Sequence, residues 1–285
     1  MSKWPLRWDL LTRYRLIEIV AQWEGRLTTN HLMSSFGIGR QQASKDINSY
    51  LQDIAPGNLV YDKYLKGYKP SDTFKPKVTK GEADEYLHLL GRNKDIVHTF
   101  AGLNLGFANT EILQVKLRQL DPIILRALVQ AAREQKRVEL GYISMSSAIE
   151  EERIIAPHTL VCTPLRWHVR AYCEKHQAYR DFVLSRFRGT PDFNGNSAHT
   201  AEQDEAWNTQ VTLEFKPDDR LSPAQQEIIA RDYGMVEQRL AITTRAPLIN
   251  YTLQAFNIDS AKLEVSPTAQ QIVIANYETI KPYLF

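Results

Sequence analysis

Gly37 to Leu51 reads Gly-Ile-Gly-Arg-Gln-Gln-Ala-Ser-Lys-Asp-Ile-Asn-Ser-Tyr-Leu, and this stretch decides how the first part of the chain folds. Its apolar residues Ala43, Ile47 and Leu51 recur every four positions, which predicts a helix with one apolar face. The other positions carry side chains that can donate to phosphates and base edges, namely Arg40, Gln41, Gln42, Ser44, Lys45 and Asn48. A solvated surface helix usually carries paired Glu and Lys, whereas these side chains can pair with bases in a major groove. The helix alone does not distinguish a solvated surface helix from a helix that contacts nucleic acid.

The residues on both sides of this stretch favour the nucleic-acid interpretation. Thr28 or Thr29 can cap a short preceding helix that ends at Gly37, so the order is helix, glycine turn, helix. After the stretch, residues 58–70 contain two tyrosine-rich runs around Leu65-Lys66-Gly67, which predicts a hairpin with a basic tip. A hairpin that follows a recognition helix is a wing. We expect its lysines to contact phosphates: Lys63, Lys66 and Lys69.

This arrangement resembles the winged helix-turn-helix of DeoR-like bacterial regulators. The segment from Arg40 to Ile47 is similar to their recognition-helix pattern, in which a basic residue and an Asp precede an aliphatic residue. Apolar residues at helical spacing predict a first helix over Asp9–Trp23, which Gly25 ends. The resemblance implies a DNA-binding domain over residues 1–75.

Length and composition are those of an ordinary globular protein. The chain has 285 residues, enough for two or three domains, and is 43% hydrophobic and 24% charged. No apolar run approaches the ~18 to 20 residues of a membrane span, and the N-terminus lacks the apolar centre of a signal peptide. Cys162 and Cys173 fit reduced thiols better than a disulfide framework or a zinc site. We therefore expect a cytoplasmic protein with no membrane partner, no metal and no cofactor.

The charge is unevenly distributed along the chain. Residues 1–80 contain 13 Lys and Arg against 7 Asp and Glu, a formal charge of +6. Residues 194–285 contain 7 basic and 12 acidic residues, a formal charge of −5. A basic first part suits a polyanion, and an acidic last part argues against DNA contact there.

Helical patterns predominate between the wing and residue 136. Helices are predicted over residues 81–90, 113–120 and 122–135, the last with Pro122 in its first turn, while residues 93–109 are ambiguous. These segments form a helical linker over residues 76–136.

From Arg137 the periodicity changes to that of strands. Five short strands within about fifty residues predict a small barrel or a strongly bent sheet; they cover residues 138–143, 150–157, 159–164, 166–173 and 180–187. A loop over 189–208 separates them from an alternation of strands and helices, which predicts a small α+β sandwich. Its strands cover residues 211–215, 237–243 and 262–265, and its helices cover 223–232, 247–255 and 267–277.

The strand region resembles the WYL domain, a small Sm-like β-barrel of bacterial transcriptional regulators. The resemblance rests on Tyr142, Arg153 to Pro157, Arg166-Trp167 and Arg180 to Arg186. The motif that names the domain falls on Trp167-His168-Val169, where two of three letters differ. The domain order is also that of the family, and the regulators of BREX and CBASS anti-phage systems are the nearest group.

The fold class implied is an α+β multidomain protein. It has a winged helix-turn-helix over residues 1–75, a helical linker over 76–136, a WYL barrel over 137–193 and a C-terminal α+β dimerisation domain over 194–285.

Strand alternation places Arg166, His168 and Arg170 on one face of a strand. Arginine can fork onto phosphate oxygens, and such a cluster of cations suits an anionic ligand. The alternative is that these are solvent-facing residues paired with the acidic run Glu150–Glu152. The WYL resemblance implies a sensor for a nucleotide or nucleic-acid fragment. The candidate ligand-binding residues are Tyr142, Ser144, Arg153, His158, Arg166, Trp167, His168, Arg170 and Arg186.

Three functions can be compared with these patterns. The first is a transcriptional regulator that binds a pseudo-palindromic operator as a homodimer; the resemblance implies a repressor of a phage-defence operon, although the residues do not distinguish a repressor from an activator. The second is an RNA- or single-strand-binding module that acts through the Sm-like barrel. The third, an enzyme, is not expected, because consecutive Glu150–Glu152 alternate faces and cannot converge on one metal ion, and no nucleotide-hydrolase or protease motif occurs.

Overall fold

The computed structural model describes residues 7–90, 119–260 and 264–284. The chain divides into two units, residues 1–114 and residues 115–285. The segment predicted as ambiguous at 93–109, and most of the helix predicted at 113–120, lie outside the described residues. None of the described helices is long and apolar enough to cross a membrane.

Three helices open the first unit and confirm the predicted helix-turn-helix. They are α1 (Trp8–Glu24), α2 (Thr29–Phe36) and α3 (Arg40–Ser49), and a π turn over Tyr50–Ile54 extends α3. Gly25 and Gly37 end α1 and α2 at φ 69° and 62°, the left-handed conformation that glycine adopts without strain. Thr28 caps α2 in a capping box completed by His31.

The core of the first unit lies where the three helices meet. Ile17, Val20, Leu32, Ala43 and Ile47 have no exposed surface, and Leu51 packs against them while partly buried. The predicted apolar face of α3 is therefore confirmed, and its burial fixes which side of the helix faces solvent.

A two-stranded wing follows, as predicted. Strands β1 (Leu59–Asp62) and β2 (Gly67–Pro70) pair antiparallel, with Tyr61 opposite Tyr68. Leu27, just before α2, exchanges two backbone hydrogen bonds with Tyr68, at 2.7 and 2.8 Å. A Cβ on Gly67 would lie 2.8 Å from the Leu27 carbonyl oxygen, so only glycine allows this close approach. A helix over residues 83–90, α4, follows the wing.

Glu18 of α1 is fully buried and joins three segments of the first unit. The Tyr50 hydroxyl donates to its carboxylate at 2.9 Å. The backbone N–H groups of Lys77, Val78 and Thr79 donate at 2.7 to 3.2 Å, and the Thr79 hydroxyl donates at 2.8 Å. The irregular connection after the wing is thereby fixed on α1.

The second unit begins with α5 (Pro122–Glu134) and a five-stranded antiparallel sheet. Its strands are β3 (Lys136–Ile143), β4 (Glu150–Cys162), β5 (Trp167–Cys173), β6 (Ala178–Val183) and β7 (Phe187–Asn196), in the order β6-β5-β4-β3-β7. The predicted Sm-like barrel is not confirmed, because in the described residues β6 and β7 are open edges and a 3-10 turn at Leu184–Arg186 separates them. The two strands predicted over 150–164 are one strand, since a register shift between Pro157 and Thr159 accommodates the proline.

The sheet has a core face and an outer face. Ile124, Leu128 and Ala131 of α5 pack against Val169 and Phe182 on the core face. The predicted helix 122–135 is confirmed, and its apolar side is part of this core. The outer face carries the alternate residues of β5, including His168 and Arg170.

The C-terminal part forms a second sheet, of three antiparallel strands. Its elements are α6 (Glu205–Asn208), β8 (Gln210–Pro217), α7 (Pro223–Asp232), β9 (Leu240–Arg245), α8 (Ile249–Ala255), β10 (Ile272–Ile274) and α9 (Tyr277–Ile280), and the strand order is β10-β8-β9. The predicted strands at 211–215 and 237–243 and helices at 223–232 and 247–255 correspond to β8, β9, α7 and α8.

Four predictions in this part differ from the structure or lie partly outside the described residues. The helix predicted at 267–277 is wrong, because the β-branched Ile272–Ile274 pair with β8 as an edge strand. The loop predicted at 189–208 instead contains the end of β7, a 3-10 turn and α6. Half of the strand predicted at 262–265 lies outside the described residues, and the other half, residues 264–265, is not in a strand. Strand β9 begins later than predicted because Glu237 and Gln238 adopt positive φ in a turn.

Replacing Glu18 by Gln should lower the free energy of unfolding by about 3 kcal/mol or more, because an amide NH2 group would face buried N–H donors that lose their acceptor. Urea denaturation followed by tryptophan fluorescence measures this. Glu85→Gln is the matched control, since Glu85 also accepts two backbone N–H groups but is half-exposed. Equal losses for the two variants would contradict the role given to Glu18.

Candidate nucleic-acid interface and ligand-binding sheet

The exposed side of α3 carries all the residues of the recognition helix that the sequence predicted for base or phosphate contact. All six side chains are exposed: Arg40, Gln41, Gln42, Ser44, Lys45 and Asn48. They project from one helix of ten residues, about 15 Å long, whose other side is held in the core. This geometry can present donors and acceptors together in a major groove.

Asp46 is the exception on α3, because its side chain is only 4% exposed. One oxygen lies 2.8 Å from Nε of Arg13 in α1, and the other accepts a hydrogen bond from Nε2 of Gln42 at 2.7 Å. In the sequence, Asp46 is only the acidic residue of the recognition-helix pattern, and no partner is predicted for it. Asp46 lies four residues after Gln42 and directly before the apolar Ile47. This spacing is the sequence signal that could have predicted a buried Asp46 paired with Gln42.

The three wing lysines are exposed, but they differ in their partners. Lys69 lies 3.4 Å from the carboxylate of Asp62, whereas Lys63 and Lys66 lie in the tip between β1 and β2. Lys63 and Lys66 are therefore the better placed for phosphate contact.

The wing tip is held in a fixed shape. Asp62 accepts hydrogen bonds from the backbone N–H groups of Tyr64 at 2.8 Å and Leu65 at 3.0 Å, and the Leu65 contact is the largest cause of the lowered pKa of Asp62. Arg26 donates to the Leu65 carbonyl oxygen at 2.6 Å. Tyr64, at the tip, is 99% exposed.

On the outer face of the five-stranded sheet, Arg170 is fully engaged by carboxylates. Its Nε and Nη2 donate to the two oxygens of Asp204 at 2.7 and 3.1 Å, and its Nη1 donates to Asp181 at 3.3 Å. Arg170 and Asp204 are 6% and 1% exposed. The prediction that Arg170 belongs to a cationic cluster open to an anionic ligand is therefore wrong. No pattern in the sequence indicates Asp204 as the partner of Arg170.

His158 completes this buried group. Its Nε2 lies 3.3 Å from Asp204 and its Nδ1 lies 2.8 Å from the Thr159 hydroxyl. Burial lowers the pKa of His158 against the opposing effect of Asp204. Burial alone would raise the pKa of Asp204, but hydrogen bonds from Arg170 and the Trp207 N–H hold it below its usual value.

Arg166 and His168 lie beside this group. Nε of Arg166 donates to Nε2 of His168 at 3.2 Å, and the His168 ring lies 4.8 Å from the ring of Tyr251 in α8. The Tyr251 hydroxyl donates to Asp181 at 3.4 Å, and burial, with the charge of Asp181, raises the pKa of Tyr251 to about 12. Residues of the C-terminal part therefore cover the outer face.

Tyr142 and Arg153 lie on the core face, opposite to His168 and Arg170. Tyr142 is 6% exposed, and its hydroxyl accepts from the Val183 N–H at 3.1 Å, so it is a core residue rather than a stacking platform. Arg153 is equally buried and pairs with Glu151 at 2.5 Å, while its Nη1 has no hydrogen-bond partner. Tyr142 and Arg153 therefore do not share a binding site with His168 and Arg170, because the two pairs lie on opposite faces of the sheet.

The remaining candidates lie at the periphery of the sheet. Ser144 is half-buried in the loop after β3 and contacts Ser146 at 2.9 Å. Trp167 is 39% exposed, and Arg186 is half-buried in the turn between β6 and β7. Within the described residues, no group of three or more His, Cys, Asp or Glu could hold a metal ion.

Three family models match successive parts of the chain. The BrxR transcriptional regulator winged helix-turn-helix domain matches residues 9–92, the WYL domain matches residues 123–190, and the BrxR transcriptional regulator C-terminal dimerization domain matches residues 210–280. The match to the WYL domain begins within α5, in agreement with the packing of that helix on the sheet.

Whole-chain relatives carry one description, DNA-binding transcriptional repressor CapW. The relative from Stenotrophomonas maltophilia is 31% identical over 98% of this chain and 93% of its own length. The relative from Pseudomonas aeruginosa is 32% identical over 96% of this chain and 92% of its own. A solved structure, that of proteasome accessory factor B/C of Arthrobacter aurescens, matches 96% of this chain and 45% of its own chain at 14% identity, with a TM-score of 0.30. The identity to full-length relatives shows that the chain belongs to the family of CapW DNA-binding transcriptional repressors.

Proposed function

We propose that this protein binds a specific duplex DNA operator as a homodimer and represses a phage-defence operon. The observation that carries the proposal is the exposed side of α3, where six donor and acceptor side chains stand on a helix whose other side is held in the core. The formal charge of +6 over residues 1–80 suits the phosphate backbone. A regulator of this kind acts where the DNA lies, in the cytoplasm.

The C-terminal part supports the homodimer. It matches a dimerization domain, and its formal charge of −5 makes it unsuitable for DNA contact. Two copies of the winged helix related by a two-fold axis would read two half-sites, so the operator is a pseudo-palindrome.

The second part of the proposal is an effector at the five-stranded sheet, a nucleotide or an oligonucleotide. Arg153 supports it, because its buried Nη1 lacks a partner that a phosphate oxygen would supply. Arg186 and Arg166 are half-buried guanidinium groups near the edges of the same sheet. Arg170 is assigned a structural role, since it would have to give up Asp204 to bind a phosphate.

The alternative function, binding of RNA or single strands through the sheet, has less support. It needs an accessible strand surface, whereas Asp204 and Tyr251 cover the outer face around β5. A fluorescence-anisotropy comparison of duplex DNA with single-stranded RNA separates the two functions, and tighter binding of the RNA would favour the alternative.

Gln42→Ala and Lys45→Ala should each weaken operator binding by about 1 to 3 kcal/mol, because each removes a side chain that can read a base edge. A mobility-shift assay measures the loss, with circular dichroism to verify folding. Arg231→Ala, an exposed change in the second unit, is the control. If both α3 variants bind like the control, α3 is not the reading helix.

Lys63→Gln and Lys66→Gln should weaken binding to all duplexes alike and reduce the salt slope by roughly 0.9 unit each, since each phosphate contact releases about one counterion. Lys69→Gln should have a smaller effect, because Lys69 already pairs with Asp62. Titrations at several salt concentrations test this. A change in sequence preference with an unchanged slope would refute the phosphate assignment.

The full chain should sediment as a dimer, and changing one half-site of its operator should cost at least about tenfold in affinity, because a two-fold dimer then loses half of its base contacts. Analytical ultracentrifugation and anisotropy measure the two quantities. The control duplex carries the same base changes outside the repeat. A monomer that binds both duplexes equally would contradict the dimer.

Arg153→Ala and Arg186→Ala should reduce effector affinity by about tenfold or more, the value of a charge-assisted hydrogen bond. Arg170→Ala should instead lower the free energy of unfolding by about 3 to 5 kcal/mol, since it leaves Asp204 buried and unpaired. Calorimetry with a panel of nucleotides and oligonucleotides, and urea denaturation, test the two effects. An effector that binds all three variants like the wild type would place the site elsewhere.

A further inference from the structure

Gln42 is exposed on α3, yet one end of its side-chain amide is tied to a buried carboxylate. We infer that Asp46 determines specificity by fixing the orientation of this amide, so that Gln42 reads a base with an exocyclic amino group in the major groove, adenine or cytosine. The inference rests on the proposed function, because it requires that α3 enters the major groove of a duplex.

The orientation follows from hydrogen-bonding chemistry. A carboxylate can only accept, and Oδ1 of Asp46 lies 2.7 Å from the amide of Gln42. The amide NH2 group must therefore face Asp46, because a flipped amide would set its carbonyl oxygen against a carboxylate oxygen. The spacing of four residues puts the two side chains one helical turn apart, where such pairs form.

Asp46 is itself held in place from the other side. Its second oxygen lies 2.8 Å from Nε of Arg13, and the two side chains are 4% and 11% exposed. Arg13 also lies 3.4 Å from Asp9, one turn earlier in α1. The contact is an ion pair without hydrogen-bond geometry, and it places the carboxylate between α1 and Gln42.

A fixed amide limits what Gln42 can recognise. With one N–H committed to Asp46, the carbonyl oxygen and the second N–H remain for the DNA. Adenine N6 and cytosine N4 are major-groove donors, whereas guanine and thymine present only acceptors there. Gln41 is exposed and makes no side-chain hydrogen bond within residues 7–90, so its amide can flip to suit either class of base. The second N–H can still donate one bond to guanine or thymine, but the carbonyl oxygen finds a donor only on adenine or cytosine. Gln42 should therefore prefer these two bases where Gln41 does not.

The first test is selection of duplexes from a library of random base pairs by the full-length chain, followed by sequencing. The wild type should show a position with an adenine or cytosine preference of about fivefold or more over guanine and thymine. Gln42→Ala should remove this preference and Gln41→Ala should retain it. Asp46→Asn should relax it while preferences elsewhere persist, because an Asn amide accepts or donates and so allows both orientations of Gln42. An Asp46→Asn protein that folds and keeps the preference would overturn the inference.

The second test uses the wild type and does not depend on the folding of Asp46→Asn. The base at that position is replaced by an analogue that lacks only the exocyclic amino group, purine for adenine or 2-pyrimidinone for cytosine. Anisotropy should show about fivefold weaker binding by the wild type and no change for Gln42→Ala. Equal binding of both duplexes by the wild type, or a guanine or thymine at the position that depends on Gln42, would overturn the inference. If the wild type enriches no sequence at all, the proposed function fails instead.

Discussion

The buried carboxylate of Glu18 joins the parts of the winged helix that are far apart in sequence. It accepts hydrogen bonds from Tyr50 beyond the recognition helix and from the backbone of Lys77 to Thr79 beyond the wing. A buried charge is tolerated only when donors replace the water that it has lost. The chain segments before and after the wing are therefore obliged to meet at α1, and the exposed side of α3 keeps a fixed direction relative to the wing.

In the second unit, a buried cation is likewise stabilised by partners that replace its lost water. Arg170, buried on the outer face of the sheet, is neutralised by Asp204 and Asp181. The contacts with Asp204 hold the C-terminal part against the five-stranded sheet. Arg170, which the sequence suggests as a ligand contact, therefore has a structural role. The effector that we propose would instead use cations with incomplete partners, above all Arg153.

Local patterns predicted most of the elements. The amphipathic spacing of Ala43 and Ile47, the glycine at 37 and the hairpin around Lys66 depend on residues close in sequence, so the winged helix was predicted with its exposed residues. The predictions failed where a contact between residues far apart in sequence determines the structure. Asp204 lies 34 residues from Arg170, and no periodicity indicates that the two meet. Strand β10 was predicted as a helix because its pairing with β8, more than fifty residues earlier, is not visible in a short apolar run. Barrel closure likewise depends on how two edge strands turn relative to each other.

If α3 reads a duplex sequence, the full-length protein should select particular DNA fragments through it. The most direct measurement is to mix the full-length protein with sheared genomic DNA of its host, capture the bound fragments and sequence them, in parallel with the Gln42→Ala/Lys45→Ala double variant. The wild type should enrich a small set of fragments that share an inverted repeat upstream of phage-defence genes, and the double variant should not. Fragments without a common sequence, or the same repeat enriched equally by the double variant, would contradict it.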